Sequence, residues 1–139
     1  MISRNELMLD DIVIYQNHLS RIIELGVDVT VSYDGWFVFQ TDHGSINPIL
    51  VDKKILIALG FVADGYGYYS EIDGYILNVF LTKRISESES ESELSIEYDG
   101  NFICSIYFNF LHQLQNYVRL AIGCELSVEN IKQMKGDEQ

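Results

Sequence analysis

Apolar and polar residues alternate in several short segments of the chain, and an Asp-Gly dipeptide separates many of them. The dipeptide occurs four times, at Asp34-Gly35, Asp64-Gly65, Asp73-Gly74 and Asp99-Gly100. Alternation places successive side chains on opposite faces of a strand, and Asp-Gly favours the type I′ turn of an antiparallel hairpin. The pattern therefore predicts hairpins at the first, third and fourth dipeptides, and a less regular turn at the second.

The strands of these hairpins can be bounded from the same alternation. The predicted pairs are 27–33 with 36–39, 66–72 with 75–82, and 94–98 with 102–107. Two further strands, 12–15 and 20–25, flank Gln16-Asn17-His18 near the start of the chain. Links this short join antiparallel neighbours, so a meander is expected.

Apolar residues at three- and four-residue steps predict two main helices. The first spans 53–59, with Asp52 as its cap and Gly60 as its left-handed end. The second spans 109–122 and ends at Gly123, because Leu111, Leu114 and Val118 form one apolar stripe. A short third helix is expected to begin at Ser127 and to fray by Gly136.

These elements predict an α+β fold: antiparallel hairpins form a curved sheet or small open barrel, and the two main helices pack on it. The strands through Gln40 are expected to be the barrel-like part, and the second helix to cross the later sheet. One domain, 1–139, is expected from the length of 139 residues. The run SESESESE at 86–93 predicts a mobile acidic loop, because alternating carboxylates repel one another. A flexible tail is expected at about 135–139.

The composition narrows the choice of partners. Twenty-one acidic residues against nine Lys and Arg give a formal charge of -12, and the nine cations are scattered. Binding to nucleic acid or to an anionic membrane depends on clustered cations, so neither is expected. The chain also contains no signal-peptide pattern and no apolar run of spanning length. Cys104 and Cys124 suit small hydrophobes in a reducing compartment, which predicts a cytoplasmic protein.

Catalytic and cofactor motifs are absent from the sequence. His18, His43 and His112 are the only histidines, and no serine or cysteine lies in a recognised nucleophile context. Metal-ligand spacings and phosphate-binding loops are also missing. No catalytic residue, metal, cofactor or small-molecule ligand is therefore expected. Tyr66, Tyr68 and Tyr69 could form a stacking surface, but strand packing accounts for them better.

The second helix carries the candidate interaction face, which consists of His112, Gln115, Asn116 and Arg119. Steps of three and four residues project these side chains together. Exposed helix positions are usually Glu and Lys, so amides and a histidine in this acidic chain favour a face that meets a partner. An ordinary polar face, or amides that bond to neighbouring loops, accounts for the same residues better, and the interaction face is kept as the candidate site.

Two segments resemble a group of short uncharacterised proteins encoded by phages and mobile elements of gut bacteria. Residues 47–56, followed by Leu59-Gly60-Phe61, are similar to the segment PIPLTEEIL…GF, and 111–116 are similar to the LHQLQN segment of that group. Val51 departs from the usual threonine. The resemblance implies an accessory protein of a mobile element and carries over no catalytic residue.

The function predicted from these observations is a non-catalytic protein-interaction module that binds another protein or itself. One alternative is an acidic mimic of nucleic acid that inhibits a host protein. The other is a small ligand-binding domain or enzyme that uses the tyrosines and His112.

Overall fold

The computed structural model describes residues 7–26, 28–33, 37–81 and 92–132. Its fold is α+β, which confirms the predicted class: two antiparallel sheets of five strands are accompanied by helices. The sheets do not close into a barrel. The strands are β1 (Ile12–Tyr15), β2 (His18–Leu25), β3 (Val29–Tyr33), β4 (Phe37–Thr41), β5 (Ile46–Asn47), β6 (Val62–Asp64), β7 (Gly67–Ile72), β8 (Tyr75–Phe80), β9 (Ser92–Tyr98) and β10 (Asn101–Phe108); the helices are α1 (Lys53–Ala58), α2 (Leu111–Ile122) and α3 (Glu129–Lys132).

The first sheet has the strand order β4-β3-β2-β1-β5. Gln16 and Asn17 both have positive φ, 49° and 65°, and this allows Tyr15 to pair directly with His18. One face of the sheet buries its own apolar cluster, to which Val13, Ile22 and Ile46 contribute. The predicted β3–β4 hairpin is present as strands, while its Asp34-Gly35 turn lies outside the described residues.

The second sheet has the order β10-β9-β8-β7-β6. Asp73 and Gly74 at one turn, and Asp99 and Gly100 at another, all have positive φ, as type I′ turns require. Both predicted hairpins are therefore confirmed. The second dipeptide is placed differently, as the prediction of a less regular turn implied: Asp64 pairs with Gly67, so Gly65 and Tyr66 form the two-residue loop between β6 and β7.

The predicted acidic loop at 86–93 is wrong in its last two residues. Ser92 and Glu93 belong to β9, where Ser92 is buried opposite Phe108 and Glu93 lies opposite Tyr107. Adjacent residues of a strand place their side chains on opposite faces. The small Ser92 therefore points inward, and the charged Glu93 points outward. The rest of the loop and the predicted tail at 135–139 lie outside the described residues.

Both main helices lie close to their predicted ranges. Asp52 caps α1 by accepting a hydrogen bond from the Ile55 amide at 3.0 Å, and Gly60 has the predicted positive φ. Helix α2 begins where the Gln113 side chain accepts hydrogen bonds from the amides of Asn109 and Phe110. It ends at Gly123 in the left-handed conformation.

Helix α2 contacts both sheets. Its apolar stripe, Leu111, Leu114 and Val118, packs in the core of the second sheet with Leu94 and Ile96. An adjacent side of the helix hydrogen-bonds to the chain that enters β1. The helix therefore packs on the second sheet and is also bonded to the start of the first. No helix among the described residues is long and apolar enough to cross a membrane.

Candidate functional site

The residues that the sequence analysis selected on α2 form a buried polar network with Asp11. The Asp11 side chain is fully buried, and its Oδ1 lies 2.7 Å from Nη1 of Arg119. Its Oδ2 accepts hydrogen bonds from Nδ2 of Asn116 at 3.1 Å and from the Met8 amide at 2.9 Å. A buried carboxylate is tolerated only when such partners surround it, so the turn before β1 is fixed to α2.

Gln115 extends this network by one helical position. Its Oε1 accepts a hydrogen bond from the Ile12 amide at 2.9 Å, and its Nε2 donates to the Asp10 carbonyl at 3.2 Å. One side-chain amide thus satisfies a backbone donor at the start of β1 and a backbone acceptor two residues before it. Because Gln115 is 1% exposed, removing it would leave two backbone groups without partners.

Arg119 joins the buried and exposed ends of the network. Its Nε lies 2.8 and 2.9 Å from the two oxygens of Glu125, and its Nη1 also donates to Oδ1 of Asn116 at 2.8 Å. Glu125 is exposed, whereas the Arg119 side chain is only 9% exposed. The third guanidinium nitrogen, Nη2, is buried without a hydrogen-bond acceptor among the described residues.

The electrostatics of the Asp11–Arg119 pair favour retention of the arginine charge. Burial raises the pKa of Asp11 to about 6, although the Met8 amide, Arg119 and Asn116 all act to lower it. Burial by itself would lower the pKa of Arg119, but its hydrogen bonds to Glu125 and Asp11 raise the pKa above the ordinary value. The removal of the Asp11 carboxylate from water therefore outweighs the gain from its partners.

The prediction that these helix residues form an exposed interaction face is wrong. His112, Gln115 and Asn116 are buried, with 1%, 1% and 7% of their surfaces exposed. The amides bond to the turn before β1, which is the alternative of amides that bond to neighbouring loops. The His112 ring stacks beside Phe110, with ring centroids 6.0 Å apart. These residues hold the fold together and do not offer a surface to a partner.

The described residues contain no constellation that suggests catalysis. No group of three or more His, Cys, Asp or Glu among them is placed to hold a metal ion. His18 is stacked on Tyr33 in the first sheet, and His112 is buried on α2. Cys104 and Cys124 are free thiols. The Cys124 sulfur donates to Oδ2 of Asp73, and this hydrogen bond raises the pKa of the thiol, which disfavours the reactive thiolate.

An open cleft of about 220 Å³ lies beside the network. It is lined by Gln115, by the exposed ion pair of Asp10 and Arg21, and by Glu125 and Glu129. Since three of its four charged side chains are acidic, it provides no site for an anion. Its polar floor is already bonded to β1, so the cleft has no free buried group that would select a ligand.

The tyrosine cluster does not form one stacking surface. Tyr68 and Tyr69 alternate along β7: Tyr68 packs against the core, while Tyr69 lies on the opposite face. Tyr66 is in the turn before β7 and is fully exposed. The packing interpretation of the tyrosines therefore accounts for Tyr68, and Tyr69 belongs to a different surface.

That surface is the outer face of the second sheet, which is the face directed away from α2. Strand pairing places its side chains in three rows across the sheet, and the outer face is defined here by Val62, Asp64, Tyr69, Glu71, Ile76, Asn78, Phe80, Glu93, Ser95, Glu97, Phe102, Ser105 and Tyr107. Val62, Phe102 and Tyr107 are each more than half exposed, and Tyr69 and Phe80 are each 40% exposed. No helix of the described residues covers this face.

The charge of the outer face has one sign. The five strands β6 to β10 contain no Lys, Arg or His, and their outward carboxylates are Asp64, Glu71, Glu93 and Glu97. The Ser105 hydroxyl donates to Oε2 of Glu93, which orients one of these carboxylates. Aromatic and aliphatic groups therefore alternate with acids on one open sheet.

This face is not apparent in the sequence of any one strand, because it is formed by outward residues of five paired strands. The available signal was the absence of cations from all five strands together with outward apolar residues, such as Tyr107 and Phe102, at positions where a solvated face is usually polar.

Comparison with known proteins adds no function to this geometry. No family model, no curated protein and no solved structure matches the chain.

Proposed function

We propose that this chain is a non-catalytic, cytoplasmic protein-interaction module, an accessory protein of a phage or mobile element, which binds its partner through the outer face of the second sheet. The observation that carries the proposal is the open acidic–aromatic surface of β6 to β10. Monomeric proteins rarely leave contiguous apolar groups exposed, and such groups are typical of interaction sites. The accessory role rests on the resemblance of 47–61 and 111–126 to proteins of mobile elements.

The chemistry of the face favours a basic protein partner. Tyr69, Phe102 and Tyr107 offer large apolar contact areas with polar tips on the tyrosines. Glu71, Glu93 and Glu97 lie between them without a cation on the same strands. A partner surface with Lys or Arg beside apolar groups would match both features, and the net charge of -12 would speed its approach.

The two other functions have less support. The described carboxylates occur in both sheets, in turns and on helices, for example Glu24, Asp52, Glu97 and Glu129. A mimic of nucleic acid would gather them at phosphate-like spacing on one surface. For an enzyme or ligand-binding domain, the described residues offer an open cleft without free buried polar groups.

Capture from an extract of the encoding cell, followed by quantitative mass spectrometry, tests the proposal. The variant Glu71→Lys plus Glu97→Lys reverses two charges of the outer face. The control, Glu24→Lys plus Asp28→Lys, makes the same charge change on exposed residues of β2 and of the turn that follows it. We expect a basic protein whose capture falls about tenfold or more in the outer-face variant and is unchanged in the control.

Two results would contradict the proposal. One is an identical set of captured proteins for the native chain and the outer-face variant. The other is an equal loss of capture in both variants, because that would reflect net charge and not this surface. Far-ultraviolet circular dichroism of each variant verifies that the fold is retained.

A further inference from the structure

Strand β10 occupies one end of the second sheet, and from Cys104 to Phe108 its outer edge carries no residue that prevents pairing. No strand among the described residues pairs with that edge. The sequence of β10, NFICSIYF, contains no charged residue, no proline and no glycine. Natural edge strands are usually short or carry charges, prolines or bulges that prevent pairing with another chain.

Strand β10 is also the longest sheet edge in the described part of the chain. Its eight residues compare with three in β6, five in β4 and two in β5. A register shift occurs between Phe102 and Cys104, which confines the regular ladder to the five residues from Cys104 to Phe108. This length is typical of a stable strand pair.

We infer that β10 pairs in antiparallel fashion with β10 of a second copy of this chain. An antiparallel pair about a twofold axis is self-complementary. The unpaired N–H and C=O groups on the edge of one β10 would therefore face the same groups on the edge of the other. Such an axis perpendicular to the sheet also keeps the faces aligned. The inward residues Cys104 and Ile106 then continue the apolar side of the sheet, and the outward residues Ser105 and Tyr107 continue its outer face.

Charge favours this edge over the rest of the surface. Two copies of a chain with a formal charge of -12 repel each other, but β10 itself brings no charge to the contact. The nearest carboxylates of the sheet, Glu93 and Glu97, belong to β9. Across the paired edges, equivalent β9 strands would be separated by three strand spacings, roughly 14 Å, which exceeds the Debye length of about 8 Å at physiological salt.

The inference goes beyond the proposed function, because it concerns a strand edge and a second copy of the chain instead of the sheet face and a basic partner. Either one can fail alone. Reversal of charge at Glu71 and Glu97 leaves the β10 edge unchanged, whereas substitution within β10 acts on the dimer directly.

Analytical ultracentrifugation of the full chain tests the pairing. We expect a concentration-dependent monomer–dimer equilibrium that strengthens when salt is raised, because salt screens the repulsion between acidic copies. The variant Ser105→Lys plus Tyr107→Lys places like charges opposite each other across the paired strands. We expect it to weaken the dimer by about tenfold or more.

The matched control is Val38→Lys plus Gln40→Lys, on the exposed edge strand β4 of the other sheet. It makes the same charge change and should dimerise like the native chain. A native chain that stays monomeric up to about 1 mM, the weak limit of specific association, would overturn the inference. So would a dimer that the β10 variant leaves intact.

Hydrogen exchange of the native chain provides a second measurement that does not depend on a variant. At high protein concentration, the amides of 104–108 should become more protected than at low concentration, because pairing satisfies edge N–H groups. Concentration-dependent protection confined to any other segment would equally overturn the pairing.

Discussion

Asp11 and Arg119 are separated by 108 positions in the chain, yet Oδ1 of Asp11 lies 2.7 Å from Nη1 of Arg119. The aspartate precedes β1 of the first sheet, and the arginine lies in the last turn of α2, which packs on the second sheet. This ion pair, together with the amides of Gln115 and Asn116, fixes one sheet to the helix of the other by directional bonds.

Removal of Asp11 should destabilise the fold strongly. In Asp11→Ala, Arg119 keeps its burial but loses a carboxylate partner, and breaking a buried ion pair on one side costs about 3 to 5 kcal/mol. Urea denaturation followed by Trp36 fluorescence or circular dichroism measures the loss. The control is Asp10→Asn, which removes an exposed charge 3.6 Å from the exposed Arg21 and keeps a residue type that tolerates the positive φ of 68° at this position. It should cost less than about 1 kcal/mol, and equal losses in the two variants would contradict the assigned role of Asp11.

Substitution of Gln115 should reduce stability instead of binding. Gln115→Leu fills a similar volume but leaves the Ile12 amide and the Asp10 carbonyl without their partner, at a cost of about 1 to 3 kcal/mol. Leu120→Gln on the exposed side of α2 is the control and should change stability by less than about 0.5 kcal/mol. Native stability of Gln115→Leu would show that water replaces the amide. The double variant Gln115→Glu plus Arg119→Glu would alter only binding if this helix face were exposed. Because both side chains belong to the buried network, it is expected to unfold the chain.

The raised pKa of Asp11 makes a signed prediction about pH. The pKa is about 6 in the folded chain against the ordinary value of 3.8, so the folded state binds the proton more tightly than the unfolded state. The stabilisation from protonation is complete below about pH 4 and is lost as pH rises through 6. Asp11→Asn cannot titrate, so the unfolding free energy of the native chain minus that of Asp11→Asn should fall between pH 4 and 7.

Denaturation of the two chains at several pH values measures this difference, and the titration of all other groups largely cancels. A difference that grows with pH would mean that the Arg119 ion pair, and not the removal of Asp11 from water, dominates the site.

Gly67 is required because of a close approach on the outer face. A Cβ at this position would lie 2.9 Å from the ring of Phe80 and 2.9 Å from the Val79 carbonyl oxygen. Gly67→Ala should therefore cost about 1 to 3 kcal/mol, measured by thermal or urea denaturation. Addition of Phe80→Ala should recover only part of the loss, because the contact with the backbone carbonyl persists. Gly26→Ala, whose Cβ would meet only ordinary contacts, is the control; a comparable loss there would contradict the steric explanation.

Local patterns predicted most of the secondary structure. The Asp73-Gly74 and Asp99-Gly100 turns, the Asp52 cap and the Gly123 helix end all depend on residues within a few positions of one another. Such preferences act in any fold, because they follow from backbone sterics and short-range hydrogen bonds. The division into two sheets could not be predicted in this way. It depends on the fact that β5 and β6 do not pair with each other, and no local pattern determines this.

The prediction that the polar residues of α2 face solvent failed for the same physical reason. His112, Gln115 and Arg119 recur at the three- and four-residue steps of a solvent-facing stripe. The partners of Gln115 and Asn116 are Asp10, Asp11 and Ile12, which lie more than 100 positions upstream. A buried polar stripe and an exposed one look alike in sequence. The distinguishing hint was the absence of Glu and Lys from the stripe, since long charged side chains are rarely buried without partners.

The long connection between β1 and α2 also sets an order of events during synthesis. The Ile12 amide finds its acceptor on Gln115, 103 positions later, and translation at about 5 to 20 residues per second separates the two by roughly 5 to 20 seconds. Until then the first sheet can bury Val13, Ile22 and Ile46 in its own cluster, but the Ile12 amide at the start of β1 lacks the acceptor that Gln115 provides. The nascent chain must therefore carry an incompletely stabilised first sheet on the ribosome until α2 has emerged.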